Sequence, residues 1–154
     1  MTGPFFFFYY PIMAPPDATV FIVDDDPAIC TALSRLFRLA GVAAQSFGCA
    51  REFLDRAPDL GAGCLILDLR LPDLSGLEVQ AELARAGIEL PVIFHTAHGS
   101  GSLRAKAFQA GAVGFLEKPV QDQALLDAVF QALERDRQAP LDTGFDPPER
   151  TASN

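Results

Sequence analysis

The chain has 154 residues, enough for one domain with a substantial core and too few for two comfortable ones. Hydrophobic residues make up 49% of it and the mean hydropathy is +0.19, which excludes a wholly disordered chain. A net charge of -8 and a pI near 4.6 argue against direct binding to nucleic-acid phosphates, which needs clustered Lys and Arg.

Residues 1–17 read as an N-terminal extension, non-functional or disordered. Phe5 to Tyr10 is a purely aromatic run between Pro4 and Pro11. It has neither the basic flank of a signal peptide nor the roughly 20 apolar residues of a membrane span. Met13 opens a more ordinary start. No membrane association is expected. Cys30, Cys49 and Cys64 are an odd count without CxxC spacing, and read as reduced packing residues in a cytoplasmic protein.

From Ala18 onward, apolar runs alternate with amphipathic ones. Thr19–Val23 is a buried-strand pattern ending on Asp24 and Asp25, after which Asp26 can N-cap a helix that has Pro27 at its first position. Ile29, Leu33, Leu36, Phe37 and Ala40 keep helical spacing until Gly41. Val42–Phe47 is a weaker second strand, followed by a short helix over Cys49–Ala57. Cys64–Asp68 is a third strand, continuously apolar until its terminal carboxylate. Ser75 and Glu78 form a capping box that opens a helix closed by Gly87.

Pro91–His95 is the fourth strand, ending at Thr96. A helix through Leu103, Ala107 and Ala110 runs to Gly111. Its opening, Gly99-Ser100-Gly101-Ser102, places two glycines in the first turn, at about 1 kcal/mol each against Ala, so that turn is expected to be labile. Val113–Glu117 is the fifth strand, followed by Lys118-Pro119. The last helix, from about Asp122, carries Leu125, Leu126, Val129, Phe130 and Leu133 on one face. Residues 138–154 lose periodicity and read as a disordered tail, leaving one domain over 18–137. Alternating strands and helices imply an α/β, doubly wound parallel sheet.

In such a sheet the C-terminal strand ends share one edge, where ligands bind. Asp24, Asp25, Asp68, Thr96 and Lys118 all fall there. Carboxylates ~5 Å apart repel by about 3 kcal/mol at an effective dielectric near 20, so the cluster calls for a cation. All-oxygen donors without a soft ligand point to Mg²⁺. Lys118 and the Thr96 hydroxyl suit an anion beside it, and the whole set suits phosphoryl transfer to a carboxylate. Each residue also has a plainer reading. A strand-end Asp commonly caps a helix, Thr96 can cap the next one, and Phe115 can be ordinary core. His95 and His98 lack a further soft ligand, and His98 reads as a loop residue shaping access to Asp68.

The chain from about Thr19 to Arg135 resembles the receiver domain of two-component response regulators. The resemblance rests on Val23-Asp24-Asp25-Asp26, on Asp68 with Leu71-Pro72-Asp73-Leu74-Ser75-Gly76, on Thr96-Ala97, and on Gly111 to Pro119. Thr96-Ala97-His98-Gly99 and Phe115 to Pro119 are similar to the FixJ/LuxR-type subgroup, whose receivers are joined to helix-turn-helix domains.

The resemblance implies a flavodoxin-like (βα)5 fold with strand order 2-1-3-4-5. It implies that Asp68 accepts a phosphoryl group from a sensor histidine kinase or phosphotransfer protein. Asp24, Asp25, Asp68 and the backbone carbonyl of Arg70 would hold Mg²⁺, while Thr96 and Lys118 would hold phosphoryl oxygens. Phe115 would swing inward as Thr96 moves, and Lys118-Pro119 would be cis. The output would be a conformational switch read by a downstream protein target, with a homodimer through the fourth helix, fifth strand and fifth helix as a further implied partner.

No enzyme turnover is expected beyond Mg²⁺-dependent self-phosphorylation and slow autodephosphorylation. Aspartyl-phosphate hydrolases usually carry a second Asp two residues after the nucleophile, and Arg70 stands there. A constitutive adaptor is opposed by the complete set of Asp24, Asp25, Asp68, Thr96 and Lys118. About 17 residues follow the last helix, too few for a helix-turn-helix unit. A stand-alone receiver and a truncated LuxR-type regulator both remain open.

Overall fold

The order of strands and helices follows the alternation of apolar and amphipathic runs. The computed structural model describes residues 17–135. In chain order these form β1 (Thr19–Val23), α1 (Pro27–Leu39), β2 (Ala43–Phe47), α2 (Ala50–Arg56), a 3-10 turn (Ala57–Asp59), β3 (Gly63–Leu67), α3 (Gly76–Arg85), β4 (Val92–Thr96), α4 (Gly101–Gln109) and β5 (Gly114–Glu117). A last helix, α5, is described over 122–135. The aromatic run Phe5–Tyr10 and the segment read as a C-terminal tail lie outside the described residues.

All strand pairs are parallel, in the order β2-β1-β3-β4-β5. Val23 is in register with both Phe47 and Leu67, so β1, β2 and β3 end level with one another. Strand side chains alternate between two cores, as the period of two requires. Val20, Ile22, Cys64, Ile66 and Ile93 pack with α1 and α5 on one face. Phe21, Val23, Leu65, Leu67 and Phe94 pack with α2, α3 and α4 on the other. Burying a side chain of this size fully is worth about 1.5–3 kcal/mol, and these two layers supply most of what holds the domain together. The apolar side of α5 (Leu125, Leu126, Val129, Phe130 and Leu133) is spent on the sheet.

Helix ends follow local chemistry. Asp26 caps α1 by accepting from the Ala28 N–H at 3.0 Å, and Ser75 with Glu78 forms a complete capping box on α3. Gly41, Gly87 and Gly111 stand just past α1, α3 and α4 with φ of 88°, 72° and 104°, the left-handed conformation that glycine adopts without a Cβ penalty.

Two expectations need correction. β3 ends at Leu67, so Asp68 stands one residue past the strand rather than being its last member. α4 does not contain both glycines: Ser100 is its N-cap, accepting from the Leu103 N–H at 3.2 Å, and only Gly101 lies inside, at the first position. Gly99 precedes the helix for a packing reason. A Cβ there would come within 2.9 Å of the Phe115 ring and 2.8 Å of Glu117 Oε2. Two glycines therefore do not weaken the first turn, which is capped.

Candidate functional site: an acidic pocket with one lysine

The pocket is assembled by extending the sheet ladder one residue beyond the strands. The Asp24 N–H donates to Phe47 O at 3.2 Å, the Asp68 N–H to Val23 O at 3.1 Å, and the Lys118 N–H to Thr96 O at 2.8 Å. Each of these residues is thereby fixed at the C-terminal edge by its neighbouring strand. The Lys118-Pro119 bond is cis.

Asp24, Asp68 and Thr96 are buried, whereas Asp25 is exposed at the mouth. Lys118 Nζ lies 2.9 Å from Asp24 Oδ2 and 3.2 Å from Asp68 Oδ2, joining the two buried carboxylates. Asp24 Oδ1 accepts from the Asp26 N–H at 2.9 Å, and the Cys30 thiol donates to the Asp24 carbonyl at 3.2 Å. Burial pulls the Lys118 pKa down, but bonds and charges from Asp24 and Asp68 outweigh it and leave it above the usual lysine value. The ammonium is therefore held charged at neutral pH. Burial also pushes the Cys30 thiol up, which keeps it protonated and inert. Cys30, Cys49 and Cys64 form no disulfide.

One oxygen from each of Asp24, Asp25 and Asp68 lies within 4.8 Å of the others. Three carboxylates against one ammonium leave a net of two negative charges, which a divalent cation neutralises. The all-oxygen donor set, with one member open to solvent, fits a Mg²⁺ that keeps several waters. Arg70 sits two residues beyond Asp68, and its N–H reaches Asp68 Oδ1 at 3.4 Å. The Thr96 hydroxyl accepts from the His98 N–H at 3.1 Å, which leaves its own proton free to donate. Thr96 thus does not cap α4; Ser100 does. The Phe115 ring is buried, its centroid 5.9 Å from that of Phe94.

Three residues have contacts here that the sequence did not assign to them. Arg104 of α4 donates to the Phe115 carbonyl at 3.2 Å and lies over that ring at 5.8 Å, tying α4 to β5. Asp73 ties the loop after Asp68 to α2. His95 is buried beside Thr96 with Nδ1 lacking a hydrogen-bond partner. Burial first, and the Lys118 charge second, hold its pKa below the ordinary histidine value. Of the three, His95 was visible in the sequence as a polar residue in a largely apolar strand, but its burial was not. Among the described residues, no helix is long and apolar enough to cross a membrane.

The response regulator receiver domain family matches residues 20–130. Nodulation protein W of Bradyrhizobium diazoefficiens is 51% identical over 121 residues, covering 78% of this chain and 53% of that protein. Response regulator protein TmoT of Ectopseudomonas mendocina is 43% identical over 118 residues, covering 77% of this chain and 54% of that protein. The crystal structure of FixJ-N superposes with a TM-score of 0.72 at 39% identity, covering 77% of this chain and 94% of that one. The chain spans about half the length of the curated relatives it matches. Its parallel sheet, its acidic strand-end pocket and these likenesses converge: the chain belongs to the response regulator receiver domain family.

Proposed function

We propose that this chain is a phospho-accepting switch in which Asp68 takes a phosphoryl group from a sensor histidine kinase or phosphotransfer protein. The observation that carries the reading is Lys118 Nζ bridging Asp24 Oδ2 and Asp68 Oδ2, with Asp25 at the mouth of the same pocket. Receivers are signalling domains, generally with Mg²⁺ in an acidic pocket. Here Asp24, Asp25, Asp68 and the Arg70 carbonyl would hold it. Bound there, Mg²⁺ would neutralise charge on the transferring group and on the carboxylates.

The transfer itself falls to Asp68. One of its carboxylate oxygens attacks phosphorus, the P–N bond to the donor imidazole breaks, and the imidazole leaves with the electron pair. Lys118 turns from its carboxylate partners toward a phosphoryl oxygen as a point charge, and the Thr96 hydroxyl donates to another. Ordering around Thr96 then biases Phe115 and α4, the face read by a downstream protein or by a second copy. The receiver unit is assigned to 18–137, and no role is assigned to 1–17 or 138–154. Autodephosphorylation is slow, with no turnover on outside substrates, and the compartment is the cytoplasm.

The test is incubation with acetyl phosphate and Mg²⁺, followed by intact mass spectrometry. Wild type is expected to gain one phosphoryl group and Asp68→Asn none. Undiminished labelling of Asp68→Asn overturns the assignment.

A second reading concerns the output. Because the aligned stretch covers only 53% and 54% of the matched relatives, the receiver also reads as part of a longer LuxR-type DNA-binding transcriptional regulator. Immunodetection of the native product distinguishes the two: a band near the size of this chain favours the switch acting through protein contact, and a distinctly larger one favours the regulator.

A further inference from the structure

α2 starts without a cap of its own. Its N-cap residue, Cys49, makes no side-chain bond to the first turn, whereas Asp26, Ser75 and Ser100 do so for α1, α3 and α4. The missing acceptor arrives from elsewhere in the chain. Asp73 Oδ1 accepts from the Ala50 N–H at 3.1 Å, and its Oδ2 from the Arg51 N–H at 2.8 Å. Oδ1 also accepts from the Leu74 N–H at 3.1 Å, which stiffens the turn that presents the carboxylate. The slight desolvation of Asp73 is outweighed by these N–H donors, so its pKa lies below the usual aspartate value and the cap is ionised at neutral pH.

The loop that carries Asp73 is the one leaving Asp68. At its base the Gly76 N–H donates to Leu69 O at 2.8 Å, and Arg70 pairs with Ser75 in an isolated antiparallel bridge. Its tip is pinned to α2 by Asp73 alone among the side-chain bonds found there. Arg70 is itself part of the base, with its N–H directed at Asp68 Oδ1 at 3.4 Å.

We propose that Asp73 is a positioning residue for the cation side of the pocket: by capping α2 in trans, it fixes the 70–75 loop and so aims the Arg70 backbone and the Asp68 carboxylate. The proposal rests on the reading of Asp24, Asp25, Asp68 and the Arg70 carbonyl as the Mg²⁺ site. A residue that only capped α2 would affect stability and nothing else, and the two roles separate experimentally. Cys49 has the extended conformation of an N-cap, so Asp introduced there can cap α2 in cis without retying the loop.

The experiment measures Mg²⁺ affinity by isothermal titration calorimetry and Tm by circular dichroism, for wild type, Asp73→Ala, and Asp73→Ala with Cys49→Asp. Asp73→Ala is expected to lower both Tm and Mg²⁺ affinity, the latter by about tenfold, as for other residues that orient ligands without touching the metal. The double variant is expected to regain Tm and not affinity. Recovery of both, or an Asp73→Ala affinity equal to wild type, overturns the proposal. If Asp73→Ala melts below the assay temperature, Asp73→Asn takes its place in the same comparison. Absence of Mg²⁺ binding in wild type overturns the site reading itself, and the proposal with it.

Discussion

Gly76 marks how tightly the loop after Asp68 is folded against its own backbone. A Cβ at this position would come within 2.5 Å of the Asp68 carbonyl, 2.7 Å of the Phe94 ring and 3.1 Å of Leu69 Cα. Two of those neighbours are backbone and cannot rotate away, so the added methyl must displace Asp68 or the start of α3. Gly76→Ala is therefore expected to destabilise by about 1–3 kcal/mol in urea denaturation, despite the better helix propensity of alanine, and to slow phosphorylation by acetyl phosphate. Stability equal to or above that of wild type would contradict the close approach. At this scale the sequence was legible where a strand's length dictates the position. Asp24 and Asp68 directly follow apolar runs, and a run of that kind brings its next residue to the sheet edge; Lys118 follows one with only Glu117 between. Asp73 was not legible, because its partners lie 23 and 22 residues away and no local pattern records a cap donated in trans. The only trace was a negative one, Cys49 standing where a Ser, Thr, Asp or Asn would cap.

Among the described α-helices, α4 has the thinnest attachment. It buries one residue, Ala107, whereas α1 and α3 bury four each, so its stability depends more on a few polar ties. Gln80 of α3 donates from Nε2 to Ala107 O at 3.1 Å, and Arg104 reaches the Phe115 carbonyl. The first tie is incomplete, since the buried Gln80 Oε1 has no partner and an unpaired buried acceptor costs about 1–3 kcal/mol. Amide exchange is expected to be faster along 103–109 than in α1 or the second half of α3, and under the proposed function this is the helix that phosphorylation would bias at least cost. Protection of α4 equal to that of α3, measured by hydrogen exchange and mass spectrometry, would remove it as the mobile element. Lability of α4 is thus expected for a reason other than the glycines. Gly99 was misassigned to the helix because composition cannot distinguish a glycine that loosens a turn from one that makes room for Phe115 and Glu117. The helix ends were legible, since Gly41, Gly87 and Gly111 each take the left-handed conformation expected of a stop.

Across the whole molecule, strand order could not be read from the apolar runs, which say that a strand is buried without naming its neighbours; it came from the resemblance and agrees with the observed sheet. Nor did the runs reveal that His95 is buried, between the fully enclosed Phe94 and Thr96. By strand alternation His95 shares the α1 and α5 side of the sheet with Ile93. Its pKa is lowered first by burial and then by Lys118, with Asp24 and Asp68 pulling weakly the other way. The consequence for stability has a definite sign. Below the unfolded-state pKa of 6.5 the unfolded chain binds a proton that the folded chain refuses, so folding stability is full above that pH and falls as pH drops through it. Wild type is expected to lose stability to urea between about pH 7.5 and 5.5, a window in which ordinary carboxylates stay ionised. His95→Leu should flatten that slope. It should also be at least as stable as wild type at the upper end, because it removes a buried nitrogen that has no partner. Parallel pH profiles for the two proteins would mean that His95 titrates alike in the folded and unfolded chains, and that the acid sensitivity of this fold resides in its carboxylates.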